Sequence, residues 1–310
     1  QNKDKYIKNE GEIFHTYYHI QYEYKQSLSK EIQAKLEEID ASLNPFKENS
    51  IIAKVNNNEE VSLDSFFIEV FSKSMEISKI TDGYFDITAA PMINAWGFGF
   101  KNKEEINEKL IDSLKEIVSY EKIYLQDKKI YKKDKRISLN MSAIAKGYAC
   151  DVIARLFDSL QIKNYMCEIG GEIRVKGLNP KGQCWTVGIS SPIEDSLGVY
   201  TDIYTKISLC DKSIATSGNY RNFYIKDGKK YAHTINPKTA YPSEENILSA
   251  TIIAEDCMTA DAYATACMVL GLEKSIETLK SVGKIDYSFI YVDSLNLIKT
   301  IYSENFPLNY

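Results

Sequence analysis

The sequence has no run of about eighteen consecutive apolar residues, the length a helix needs to cross a bilayer. Its longest apolar stretches, such as SATIIA at 249–254, are strand-sized. An excess of positive charge is also missing: 38 Lys and Arg against 43 Asp and Glu leave a net charge of −5. That balance argues against a surface for nucleic acid or anionic membrane, either of which would need clustered cations. Histidine is scarce, with 3 in 310 residues, and the six cysteines (Cys150, Cys167, Cys184, Cys210, Cys257 and Cys267) form no CxxC and no short paired spacing. Most of them lie in apolar segments, where a buried reduced thiol is the common state, so neither a zinc site nor a disulfide framework is expected. The phosphate-binding signatures GxGxxG after a strand and GxxxxGK[ST] are absent, which leaves Rossmann and P-loop chemistry unsupported. What remains is an ordinary globular composition, 44% apolar and 26% charged. A chain of this length can bury a sizeable core, as one unit over 1–310 or as two intimately packed lobes.

The first dozen residues, QNKDKYIKNEGE, are polar and are expected to be a flexible lead-in. A start at Gln1 rather than Met fits a chain from which an export signal has been removed. TYYHIQYEY at 16–24 then predicts a strand. Leu28, Ile32, Leu36, Ile39 and Leu43 recur at helical spacing, as do Leu63, Phe66, Phe67, Val70, Phe71 and Met75, so amphipathic helices are expected over 27–43 and 63–77. DGYFDITAAPMINAWGFGF at 82–100 reads as a long irregular loop of the kind that carries function. A charged helix at 103–119, strands KIYL, KIYK and RISLN, and a helix within 140–162 follow. Further on, the Asp227-Gly228 pair between FYIK and KKYAHTI predicts a hairpin. A strand at 246–254 leads to a helix from about 258 to Leu270, stopped by Gly271, and two strands close the chain. Strands dominate without a βαβ repeat, which predicts an α+β fold with mixed, mainly antiparallel sheets and interspersed helices.

Several residues stand out as candidates for chemistry. In TADAYATACMVLG, Asp261 and Thr265 fall at i and i+4, on one helix face, where two hard oxygens could share a magnesium ion. The bland alternative is that Asp261 merely favours the helix start and Thr265 bonds its own preceding turn; from spacing alone it is the stronger reading. His233 ends a hairpin strand, and Lys146 lies near a strand-to-helix transition where a cation and amides would suit a phosphate. IGGE at 169–172 is a tight turn or a place where backbone approaches a ligand.

Singly these signals are weak, but their order is specific. The blocks DGYFDITAAPMINAWGFG, SAIAKGYACD, EIGGEIRVKG, IATSGNYRNFY, YAHTINPKTAYP and DAYATACMVLG resemble, one after another, those of the FAD:protein FMN transferase family, known as ApbE. They cover roughly residues 82–271, and HTYYHIQY and SIIAKVNNN before them also fit. The resemblance implies a T-fold-related ApbE architecture and an enzyme that binds FAD with Mg²⁺, splits its pyrophosphate, and joins FMN to a Thr or Ser hydroxyl of a target protein while AMP leaves. It implies that Asp261 and Thr265 hold the metal with backbone oxygens of Ala143 and Ala264. Phe14, Tyr84, Phe85, Asp86, Asn140, Lys146 and Ile235 match positions that contact FAD, and His233 matches the base that deprotonates the acceptor hydroxyl. The implied partner is an exported acceptor, such as a subunit of a membrane redox complex, and the implied location is periplasmic or on a lipid anchor.

The chain departs from the family pattern at Asn140 and Asn236, where Asp is usual, and at Ala240, where Gly closes H-x-I-D-P-x-T-G. An Ala held at positive φ would be strained by about 1 kcal/mol or more. These departures keep two alternatives open. One is an FAD-binding protein without transferase activity, which would retain intact FAD in the presence of Mg²⁺. The other is a Mg²⁺-dependent FAD pyrophosphatase, which would release AMP without an acceptor.

Overall fold

The computed structural model describes residues 6–97, 105–194, 200–218, 223–226, 229–232 and 234–308. Its frame is an eight-stranded sheet in which every neighbouring pair is antiparallel. The strands lie in chain order: β1 (Tyr6–Ile13), β2 (Thr16–Glu23), β5 (Tyr165–Ile169), β6 (Glu172–Lys176), β9 (Ser213–Gly218), β14 (Ile247–Ala254), β15 (Asp286–Val292) and β16 (Ile298–Tyr302). Four separate antiparallel pairs branch from this frame. They are β3 (Ile123–Gln126) with β4 (Lys129–Lys132), β7 (Trp185–Glu194) with β8 (Tyr200–Leu209), β10 (Phe223–Lys226) with β11 (Lys229–Ala232), and β12 (Ile235–Asn236) with β13 (Tyr241–Pro242). The α+β class expected from the sequence is therefore the observed one.

Period-two alternation gives the sheet two buried faces. On one face Ala215 and Ile252 join the main core with α6 (Ser142–Ser159), α7 (Cys257–Leu270), α1 (Ser29–Leu43) and α3 (Ser65–Ile80). On the other, Ile173, Val175, Ile214 and Ile253 meet Trp185, Val187, Ile207 and Leu209 of the β7–β8 ribbon. The remaining helices are short: α2 (Ile51–Asn56), α4 (Ala90–Ala95), α5 (Glu108–Ile117) and α8 (Leu272–Val282).

Strand β6 and helix α6 carry a ladder of three ion pairs. Glu172 pairs with Lys146 at 3.1 Å, Arg174 with Asp151 at 2.5 Å, and Lys176 with Asp158 at 2.8 Å. Asp151 has a second task, because its carboxylate accepts from the Cys257 and Met258 amides at 2.9 and 2.8 Å and so fixes the exposed donors of the α7 amino end. Gly147 lets the two helices meet there: a Cβ at that position would lie 2.3 Å from the Cys257 carbonyl oxygen.

The structure corrects several expectations. Residues 6–13 are not a loose lead-in but edge strand β1, and Gln1–Lys5 lie outside the described residues. RISLN at 136–140 forms no strand, and the 82–97 part of the expected loop contains the short helix α4. Cys184 and Cys210 are joined in a disulfide, where no disulfide was expected. The β7–β8 register pairs Trp185 with Leu209, which places the cysteines opposite one another just beyond it, with Cα atoms 5.1 Å apart. Cys150, Cys167, Cys257 and Cys267 are free and buried.

Candidate active site

Where α6 and α7 approach the ends of β6 and β9, a cavity of about 810 Å³ opens, well within the range of small-molecule sites. Its walls collect Tyr84, Phe85, Asp86, Asn140, Ala143, Lys146, Ile235, Asp261 and Thr265 from four stretches of chain that are far apart in sequence. Two expected residues are placed elsewhere. Phe14 sits in the left-handed β1–β2 turn (φ 53°) and packs on the core without lining the cavity. Ala264 is fully buried within α7. His233 lies outside the described residues, while its sequence neighbours Thr234 and Ile235 line the cavity.

Asp261 is buried in the second turn of α7, and its Oδ2 accepts the Gly147 amide of α6 at 2.9 Å. No described residue donates to Oδ1. Capping of α7 falls to Asp256 and Asp151, so Asp261 is not a helix-start residue in disguise. Thr265, one turn on, has its Oγ1 3.3 Å from Ser217 Oγ of β9 rather than bonded to its own helix. The bland reading of this pair is therefore not the structure's.

The floor of the cavity is a lysine between two buried carboxylates. Lys146 reaches over Gly170, whose left-handed turn (φ 61°) leaves a Cβ-sized gap that the lysine stem fills. Its Nζ pairs with Glu172 Oε1 at 3.1 Å. Glu172 Oε2 is buried and has no hydrogen-bond partner among the described residues. Burial pushes the Glu172 carboxyl up to about 8, with the Asp261 charge adding and Lys146 opposing. Burial likewise raises the Asp261 carboxyl, against Lys146 and the Gly147 amide. Burial alone would depress the Lys146 ammonium, but Asp261 and Glu172 outweigh it and hold the pKa above its usual value.

The other expected positions are walls and turns. Burial raises the Asp86 carboxyl, yet its oxygens are engaged by the Thr88 amide and hydroxyl (2.8 and 2.6 Å) and the Tyr120 amide (2.8 Å). Tyr84 lies with the ammonium groups of Lys238 and Lys274 4.9 and 4.8 Å from its ring centre. Asn140 Oδ1 accepts from the Ser142 amide at 2.8 Å where α6 begins, and Asn236 Oδ1 accepts from the Lys238 amide at 2.9 Å. Both bonds need an acceptor oxygen and no charge, so Asn serves where Asp is usual. Ala240 has φ 63°, the left-handed conformation that Gly adopts freely, and is fully buried.

An ApbE family profile matches residues 14–289. The chain belongs to the ApbE family. It is similar to the FAD:protein FMN transferase of Haemophilus influenzae, 32% identical over 312 aligned positions that cover 95% of this chain and 89% of the relative. With that of Escherichia coli K12 it shares 30% identity over 269 positions, 84% of this chain and 76% of the relative. Among solved structures, the flavin transferase ApbE from Vibrio cholerae matches with a TM-score of 0.86 at 29% identity, covering 96% of this chain and 97% of that one. The apo flavinyl transferase ApbE of Pseudomonas stutzeri gives 0.86 at 25% identity, covering 97% and 95%.

Glu172, Thr216 and Ser217 all line the ApbE cavity, but the sequence marked Glu172 only as the end of the IGGE turn and Thr216 and Ser217 only within a family block, with no role for their side chains. EIRVK alternates charged and apolar residues, so its charged side reads as a solvent face. Here helix α6 covers that side.

Proposed function

We propose that this ApbE-family chain is an FAD:protein FMN transferase acting in the cavity between α6, α7 and the ends of β6 and β9. The observation that carries the reading is the meeting of dispersed family blocks around one cavity, with Lys146, Asp261 and Thr265 at its floor. In the reaction, an acceptor hydroxyl oxygen forms a bond to the FMN phosphorus, the pyrophosphate P–O bond breaks, and AMP leaves. Such transfers ask for positioning and charge neutralisation more than for covalent help. Lys146 supplies a fixed ammonium for a pyrophosphate oxygen, and Tyr84, Phe85 and Ile235 supply apolar wall for the flavin nucleotide. His233 is proposed, from the family resemblance, to take the proton of the acceptor hydroxyl.

Mg²⁺ is part of this proposal. Asp261 Oδ1 and Thr265 Oγ1 are hard oxygens one helical turn apart, and no described residue donates to Asp261 Oδ1. Among the described residues no three His, Cys, Asp or Glu side chains converge, so the remaining donors would be neutral oxygens. Ala143 lines the cavity and offers its carbonyl, while the Ala264 carbonyl is proposed from the resemblance. Bound there, Mg²⁺ would neutralise phosphate charge. The acceptor is proposed to be an exported redox protein, and this chain an exported or lipid-anchored one. The Cys184–Cys210 disulfide supports an oxidising compartment.

The test is incubation with FAD, Mg²⁺ and an acceptor carrying a Thr-containing flavinylation segment, read by intact mass and AMP release. A gain of one FMN, lost in Asp261→Ala and His233→Ala, is expected. AMP without mass gain would favour the pyrophosphatase, and bound FAD with neither product would overturn the transferase reading.

A further inference from the structure

Glu172 is a buried carboxylate with one oxygen on Lys146 and the other without a partner among the described residues. Stability alone gives little reason for it, because a buried carboxylate left half-bonded is costly. Its placement has a consequence for Asp261. Lys146 is flanked by two carboxylates, and its ammonium forms its ion pair with Glu172, not with Asp261. We infer that Glu172 is a positioning residue that holds the Lys146 ammonium away from Asp261, so that Asp261 Oδ1 stays open to a divalent cation. This rests on the metal reading above and extends it to a residue outside the donor set.

A lysine within the field of two carboxylates moves to whichever attracts it more. Without Glu172, the Asp261 carboxylate, whose charge already acts on Lys146, is left to attract the ammonium, and an ammonium seated on Oδ1 would exclude a cation both by contact and by charge. The stem can make that shift, since Lys146 crosses Gly170 with its methylenes rather than being locked by a backbone bond. With Glu172 in place, Lys146 stays charged and near the cavity, available to an anionic ligand, while the cation site remains separate.

The experiment is a double-mutant cycle on FAD-free protein: wild type, Glu172→Gln, Lys146→Met and the double variant. Apparent Mg²⁺ affinity is read from the rise of melting temperature with Mg²⁺ concentration. Measurement at pH 9, above the Glu172 pKa of about 8, keeps most of the carboxylate ionised. Glu172→Gln is expected to weaken Mg²⁺ roughly tenfold in the Lys146 background. In the Lys146→Met background the same change should alter affinity by less than about threefold, because no ammonium is left to misplace. Equal weakening in both backgrounds would mean that Glu172 acts by charge alone and would overturn the inference. So would an unweakened Glu172→Gln. If wild type shows no Mg²⁺ response, the metal reading fails as well, and FAD binding by fluorescence quenching then tells whether the flavin reading survives. Should Glu172→Gln melt too low for comparison, Glu172→Ala replaces it in the same cycle with the same expected pattern.

Discussion

At the scale of single residues, the departures from the family pattern carry their own explanation. Asn140 and Asn236 each accept one backbone N–H through Oδ1, a task that needs an oxygen but no charge. Asn140→Asp should therefore change stability by less than about 0.5 kcal/mol, whereas Asn140→Ala, which leaves the Ser142 amide without that acceptor, should cost about 1 kcal/mol. Chemical denaturation of the three proteins decides it. Glu172 makes a prediction about pH. Its ordinary carboxyl value is 4.5 and burial lifts it to about 8, so between these values the folded chain holds a proton that the unfolded chain has lost. Stability contributed this way is fully present below the unfolded value and is lost as pH rises through the folded one. In chelator, the unfolding free energy should fall from pH 5 to 8, and Glu172→Gln should flatten that fall. The Lys146 pKa is raised from 10.5, so any loss it causes lies above this window.

At the scale of elements, Gly147 shows why a helix can prefer a poor helix former. By propensity, Gly147→Ala in mid-helix should stabilise by about 1 kcal/mol. Here the new Cβ would meet the Cys257 carbonyl at 2.3 Å and the Asp261 Cβ at 2.7 Å. The expected result is the opposite sign, a loss of about 3 kcal/mol, with weaker FAD retention because the helix bearing Asp261 is pushed away. A melt combined with flavin fluorescence would check both. The amphipathic helices α1 and α3, helix α7 with its Gly271 stop, and the β10–β11 hairpin were legible because periodicity and turn chemistry are local signals. Strand β1 was not: YIKNEGEI is charge-rich as edge strands are, and reads as a polar lead-in. Helix α8 was hidden behind Gly271, which at φ 78° ends α7 and starts α8 in one residue, so the stop signal masked the restart. Of the site, Asp261, Thr265 and Lys146 were legible by spacing and family order. Glu172 was not, because its partner is 26 residues away and nothing local says that a helix covers the charged side of β6.

For the whole molecule, the sheet separates two cores, and the disulfide closes the end of the ribbon that covers the smaller one. It closes a sequence separation of 26 in the β7–β8 ribbon, a span for which cross-linking contributes roughly 2–4 kcal/mol. Reduction, or Cys184→Ser with Cys210→Ser, should lower unfolding free energy by that amount. FAD affinity should change by less than about threefold, since the cavity floor lies on α6 and α7 and the ribbon reaches the cavity at Gly188, four residues along β7 from Cys184. Denaturation with and without reductant, followed by flavin titration, measures both.

The ion-pair ladder between α6 and β6 also works as an index. Its rungs read plus, minus, minus along the helix (Lys146, Asp151, Asp158) and minus, plus, plus along the strand (Glu172, Arg174, Lys176). Slipping the helix by one rung sets Lys146 against Arg174, and slipping it the other way sets Asp151 against Glu172. Either misstep confronts like charges, so α6 has one seating rather than a range of them. The depth at which the lysine stands in the cavity is thus set as a notch sets a ratchet, partly by the half-exposed pair at the far end of the helix.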